Sequence, residues 1–235
     1  VRIAVVYTCV AGRESTLSYA TRFVSTYHTF ESGVEHDLFY MCNGGALDNA
    51  CKAALSGLGG QFIERDNTGW DIGGYIFGAY GACKDYDMMF CLGESVYFHR
   101  PRWLVRLADS WQQGGVGIYG PLASYVVRPH LLTTAFATSP DLLRRYPHHV
   151  ETKEQRYEFE HGKRSFWGWV NFLGKAAKLV TWDGCWGSMQ WRVPDNILWR
   201  GTQSNCLVWC NHTDTYATGS KSVKAKWARM ADTFP

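Results

Sequence analysis

Over the first hundred positions, apolar residues come in short unbroken runs, separated by stretches in which they recur every three or four residues. "RIAVVYT", "HDLFYMC", "QFIER" and "YDMMFCLG" are of strand length. Runs that short and without alternation mark strands covered on both faces. Between the first two, Leu17, Ala20, Phe23, Val24 and Tyr27 fall at helical spacing and predict a helix from Ser15 to Thr29. "LDNACKAALSGL" predicts a second helix, stopped by Gly59-Gly60, and "GGYIFGAYGAC" a third. Asn43-Gly44-Gly45 reads as a turn. Strands that alternate with helices predict an α/β fold with a mostly parallel central sheet flanked by helices.

After Pro101 the rhythm changes. "RPRWLVRLADSWQ" predicts a helix, "GGVGIYGPLASYVV" and "HLLTTAFATS" predict strands, and "SPDLLRRYP" a short capped helix. The charged stretch "ETKEQRYEFEHGKRSFWGWVNFLG" follows, then a strand "AKLVTW" and a Trp-rich tail. No internal repeat or low-complexity linker interrupts the chain. The expectation is one domain over 1–235, with 1–100 as a nucleotide-binding half and 101–235 as an elaborated acceptor-binding half. The chain does not begin with Met, which fits a domain cut from a longer protein.

Composition narrows the function classes. Hydrophobic residues make up 46% and charged residues 19%, a globular balance. Net charge is +3, and the one basic cluster, "KSVKAKWARM", is too small for a nucleic-acid footprint. It reads as a solvated helix face, with at most peripheral contact with acidic lipid. No apolar run approaches the ~20 residues that cross a bilayer. A cytoplasmic location, at most at the inner face of a membrane, is expected. Of the eight cysteines none forms a CxxC pair, and several sit in apolar runs, which suits reduced, buried thiols. Cys206, Cys210 and His212 come nearest to a metal cluster but lack a fourth ligand.

In open parallel sheets ligands bind beyond the carboxyl ends of the strands. Three loops leave such ends here, and their convergence would bring Thr8, Asp66, Asn67, Asp71, Gly73, Gly74, Glu94 and Ser95 to one crevice. Asp and Asn acceptors suit ribose hydroxyls and base edges, and glycines let backbone N–H groups approach a diphosphate. The glycines follow the third strand rather than the first, and no GKS or GKT occurs. A dinucleotide dehydrogenase and a P-loop kinase are therefore disfavoured.

The first strand and helix, "FYMCNGG", "RDNTGWDIGGY" and "MMFCLGESVYF" together resemble a nucleotide-sugar-dependent glycosyltransferase of the GT-A type, and within it the rhamnan synthesis F group of polysaccharide glycosyltransferases. The resemblance spans most of 1–183, with Asn67–Gly74 and Gly93–Pro101 its specific parts. It implies a GT-A-like fold, a nucleoside diphosphate sugar donor with rhamnose as one candidate, and a glycan or glycolipid acceptor. Asp66, Asn67 and Asp71 would then hold the donor, and Glu94 and Ser95 would mark its diphosphate turn. Where the family commonly places Asp-x-Asp for Mn²⁺ or Mg²⁺, this chain reads Gly93-Glu94-Ser95, a poor site for a hard cation. Either Glu94 binds metal weakly with help from His212 or Asp214, or the diphosphate is neutralised by side-chain cations. No cofactor is certain from the residues, and an N-cap or turn role for Glu94 stands beside both.

An inverting transfer needs a carboxylate to take the acceptor proton. Glu158 and Glu160 are the candidates, and by position in the motif Glu160 matches better. On a strand the two would face one side, and on a helix they would diverge. The bland alternative is a charged surface loop. His130 is a candidate for acceptor contact, against a structural role after Pro129. Arg200 and His212 are candidates to close over the diphosphate. Trp182, Trp186, Trp191 and Trp199 could form an acceptor platform or simply pack a core, with Trp186 carried forward as an acceptor contact. Two other functions stay open: a retaining transferase on the same fold, and a non-catalytic carbohydrate- or nucleotide-binding module.

Overall fold

Strand β1 (Ile3–Val10) buries nearly its whole length, and its alternate residues serve two separate cores. Val5, Tyr7 and Cys9 join one core, Ala4 and Val6 the other. The computed structural model describes residues 1–191 and 197–231. Helix α1 (Thr16–Thr29) follows, then β2 (Asp37–Asn43), α2 (Asn49–Ser56), β3 (Gln61–Arg65), α3 (Trp70–Tyr80) and β4 (Met88–Leu92). β2 and β4 divide as β1 does: Tyr40 and Phe90 face the first core, Met41 and Cys91 the second. This is the two-residue period of strands covered on both sides.

The second half adds α4 (Trp103–Gly114), β5 (Gly117–Gly120), β6 (Ala123–Ser124), β7 (His130–Leu131) and β8 (Ala135–Thr138). It continues with α5 (Pro140–Arg145), α6 (Lys153–His161), α7 (Phe166–Phe172), β9 (Ala176–Val180), β10 (Cys185–Gly187), α8 (Asn211–Thr218) and α9 (Lys221–Ala231). The main sheet runs in the order β10-β9-β5-β8-β4-β1-β2-β3. β3, β2, β1 and β4 are mutually parallel, β8 runs antiparallel between β4 and β5, and β10 is antiparallel at the edge. The fold is α/β with a mostly parallel central sheet flanked by helices, the architecture that the GT-A resemblance implies.

α1, α2 and α4 cover one face of the sheet, and α3, α5, α6 and α7 the other. Trp103 at the start of α4 stacks on Phe98 at 3.8 Å and donates its indole N–H to the Phe30 carbonyl at 2.9 Å, which ties α4 to the end of α1.

Several boundaries differ from the sequence expectation. The strand expected over 114–127 splits into β5 and β6 at Pro121, which has no N–H for a ladder bond. "HLLTTAFATS" likewise splits, β7 pairing with β6 and β8 entering the main sheet. The charged stretch is helical, started by a capping box between Thr152 and Gln155. α3 begins at Trp70, before the expected Gly73, so Asp71 lies in its first turn. Seven cysteines are buried and Cys185 is exposed. No helix among the described residues is long and apolar enough to cross a membrane.

Burial holds the imidazoles of His36, His99, His130, His161 and His212 below their ordinary pKa. The unfolded chain takes up protons that the folded one refuses. Their contribution to stability is therefore complete above the unfolded value, about 6.5, and is lost as pH falls toward the folded values. Thermal melts should show a lower midpoint at about pH 5.5 than at about pH 7.5, and equal midpoints would contradict the burial of these rings.

Candidate functional site

β1 pairs with β2 on one side and β4 on the other, so the connections that leave β1 and β4 part company at their carboxyl ends. Such a switch point opens a crevice, and here it has a volume of about 300 Å³. Thr8 and Val10 of β1 and Asn43 of β2 form its floor. The Gly93–Ser95 turn stands on one side, Trp70 and Asp71 on another, and Arg156 with the first residues of α8, Asn211 and His212, closes the rim. Larger or comparable hollows lie on the outer side of α3 and α6, lined by His148 and His149; one of them touches Arg65 at the end of β3, but neither reaches the ends of β1 and β4.

Of the residues predicted to converge, the structure brings Thr8, Asp71, Glu94 and Ser95 to the crevice, and His212, a separate candidate for the diphosphate, lines it too. Asp66 lies outside it. Its carboxylate caps its own loop, accepting the Thr68 N–H at 2.8 Å and pairing with Arg65 at 3.2 Å. Asn67 also lies outside, its carbonyl accepting the Trp70 N–H at the entry to α3. Gly73 and Gly74 do not line the crevice either. A side chain on Gly73 would run into the Thr68 carbonyl, and one on Gly74 would come within 2.9 Å of Met41. Gly74 lets α3 lie close on β2 and Gly73 lets the loop before α3 fold back on it, packing roles in place of the predicted diphosphate approach. Gly69, at φ +71°, turns the chain into α3 beneath the Val150 carbonyl.

Glu94 is buried, with both carboxylate oxygens engaged. Oε1 accepts from the Val10 N–H at 3.2 Å and from the Thr16 hydroxyl, and Oε2 from Arg13 at 3.0 Å. The Tyr7 hydroxyl donates to the Glu94 carbonyl. The acidic turn thus clamps the β1–α1 loop. One carboxylate, already paired with a guanidinium and flanked by Gly93 and Ser95, does not fit Mg²⁺ or Mn²⁺ at this turn, since these take several oxygen ligands. Asp214, the other oxygen named for a metal, binds Arg22 at 2.7 Å and accepts the Tyr97 hydroxyl.

Asp71 pairs with Arg156, Nε to Oδ1 at 3.0 Å. Burial pushes the Asp71 carboxyl up, and the Arg156 cation pulls it back. Burial opposes the Arg156 charge too, but Asp71 and Glu160 together outweigh it and hold the cation firmly. Arg156 and Glu160 are four residues apart on α6 and share one of its faces.

Because that segment is a helix, Glu158 and Glu160 diverge. Glu158 turns outward, accepts the Arg164 N–H at 3.3 Å and lines an outer hollow with Tyr146. Glu160 turns inward, accepts the Thr133 N–H at 3.3 Å, and lines a second cavity of about 210 Å³ with His130, His161 and Trp199. His212 lines both this cavity and the crevice.

The remaining predicted contacts are scattered. Arg200 lies in the turn after Ile197 and lines neither cavity. Trp186 sits in the edge strand β10 and donates to the Thr181 hydroxyl at 3.0 Å, away from the crevice. Trp191 is core, and Trp182 donates to the Cys206 carbonyl at 2.9 Å. Of the four, Trp199 alone lines the cavity beside the crevice. Cys206 and Cys210 are packed into the first core.

Sequence reading missed Arg156, Asn43, Arg13, Asn211 and His161. The signal for Arg156 was its four-residue step to Glu160, visible only once the charged stretch is taken as a helix. Asn43 holds the end of β2, where its Oδ1 accepts from Arg65 at 2.6 Å. Arg13 and Asn211 follow strand and loop ends with no distinguishing pattern.

No family model matches the chain, and no curated protein does. Among solved structures, glucosyl-3-phosphoglycerate synthase from Mycobacterium tuberculosis, in complex with Mn²⁺, UDP and phosphoglyceric acid, is similar at 11% identity, TM-score 0.42, over 60% of this chain and 56% of that one. S. aureus TarS is similar at 8% identity, TM-score 0.48, over 66% of this chain and 32% of that one. An active-site mutant of LgtC is similar at 15% identity, TM-score 0.47, over 75% of this chain and 71% of that one. The matched region is thus little over half of the synthase and about a third of TarS. At these identities and scores the likenesses carry no argument about activity, donor or metal, and nothing among them narrows the chain to the rhamnan synthesis F group.

Proposed function

We propose that the chain transfers a sugar from a nucleoside diphosphate donor to a hydroxyl acceptor. The observation that carries the reading is the pair of cavities meeting at His212, one at the strand ends beside cations, the other holding the Glu160 carboxylate. The first suits the donor. Thr8 and Asn43 offer polar groups at its floor, the N-terminus of α8 faces it, and Arg13 and Arg156, each paired with a carboxylate of the same wall, Glu94 and Asp71, supply guanidinium donors for a diphosphate. The leaving diphosphate is neutralised by these groups and by donors such as His212, and no step is drawn through a metal at the Gly93–Ser95 turn.

The second cavity suits the acceptor. Glu160 takes the proton of the attacking hydroxyl, and its Oε1 is oriented by the Thr133 N–H. A base on the side away from the leaving diphosphate favours single displacement with inversion. A dTDP-linked sugar such as rhamnose, as donor to a polysaccharide, is the finer form of the same reading.

Calorimetry with UDP, GDP and dTDP, each with and without Mn²⁺, tests the donor half. One of the three should bind, and its affinity should change little with Mn²⁺. A strict Mn²⁺ requirement would overturn the neutralisation by side chains. No binding of any of them would remove the transferase reading and leave a carbohydrate-binding module.

A further inference from the structure

Beside the donor crevice, the residues around His161 form a constellation that proton transfer alone does not explain. Ligating atoms of His130, Glu160 and His161 all lie within 4.8 Å of one another, and they wall a cavity that is open to solvent. Both ring nitrogens of His161 are buried, and neither has a hydrogen-bond partner. An imidazole in that condition costs stability unless something is meant to meet it. His130 is 5% exposed, and its Nδ1 lies 2.8 Å from the Arg128 carbonyl. A proton on Nδ1 donated to that carbonyl fixes the tautomer and leaves the Nε2 lone pair free, the support that metal-bound histidines ordinarily receive. Glu160 is likewise held at Oε1 by Thr133, and its Oε2 lies 4.0 Å from Nδ1 of His161.

We infer that His130, Glu160 and His161 form a binding site for one divalent transition-metal ion of the zinc type. Two imidazoles and one carboxylate are a ligand set for zinc, cobalt or nickel rather than for magnesium or calcium. Three protein ligands leave a fourth position open to the cavity that His212 also lines. In the ion-bound form Glu160 would be a ligand rather than the free base, and a hydroxyl bound at the open position would lose its proton more readily. The site differs in place and chemistry from the acidic turn at Glu94, and binding of the ion does not depend on the transferase reading. Small side-chain movements must draw the ligands together, since zinc–nitrogen bonds are about 2.0–2.1 Å.

Zinc is titrated into the intact chain, without nucleotide, in competition with a chromophoric chelator, and cobalt absorption spectra are recorded in parallel. One ion per chain is expected, with cobalt bands in the visible and no thiolate charge-transfer band. His161→Ala and His130→Ala should each weaken binding roughly tenfold or more. No binding, binding unchanged in both variants, or a thiolate band that traces the ion to the cysteines would each overturn the site. The cobalt spectrum of the unaltered chain decides the matter even if a variant fails to fold.

Discussion

Glu160→Gln is expected to lower turnover of sugar transfer by roughly 10²–10⁴-fold and to leave nucleoside diphosphate affinity unchanged. The substitution keeps the shape and the oxygen that accepts from Thr133, but removes the group that takes the acceptor proton. The carboxylate lines the second cavity rather than the donor crevice, so a binding measurement separates loss of chemistry from loss of donor. Glu158→Gln is the matched control. It lies two residues away on the same helix but on the outward side, where it accepts the Arg164 N–H, and turnover should persist. Normal turnover of the Glu160 variant would remove the inverting-base assignment, and equal losses in both would point to damage to α6.

Gly69→Ala is expected to destabilise the fold by about 2–4 kcal/mol, from a left-handed backbone cost of about 1–2 joined to steric overpacking of similar size. For a chain of this length that corresponds to a fall in melting temperature on the order of 10 °C. Gly69 sits at φ +71°, and a methyl there would strike the Val150 carbonyl, which is backbone and cannot swing away. Gly12→Ala supplies the comparison. Its φ is +73°, but nothing lies within 4 Å of an added side chain. It should cost the backbone term alone, and the difference between the variants isolates the contact with Val150. Equal melting temperatures would mean that the α3 entry yields to the added methyl.

The centre of the sheet was legible because β1, β2 and β4 are buried on both faces and therefore nearly unbroken in apolar residues, whereas the edge strand β3, with Gln61, Glu64 and Arg65, is not buried. The lesson of "DNTGWDIGGY" is different. Its glycines and acids look like ligand chemistry, yet Asp66, Asn67 and Gly73 build the turn into α3, Gly74 lets that helix lie on β2, and Asp71 alone of the acids reaches the crevice. A tight helix entry and a phosphate cradle ask for the same residue types, and a single sequence does not separate them. Arg156 and His161 were illegible for another reason. Their partners, Asp71 and His130, lie 85 and 31 positions away along the chain, and only the packing of α6 against α3 and β7 brings them together.

The clamp at Glu94 has a consequence for how a ligand meets this crevice. One carboxylate links the end of β1, the first turn of α1 and the turn after β4, across 78 to 84 positions of chain. The wall on that side is therefore set before any ligand arrives. Association does not have to order a floppy loop there, so the entropic cost of closing around a small anionic ligand falls mainly on the ligand. Glu94→Gln would weaken the hold on Arg13, and the change should appear as slower or looser capture at a preformed wall rather than as a lost chemical step.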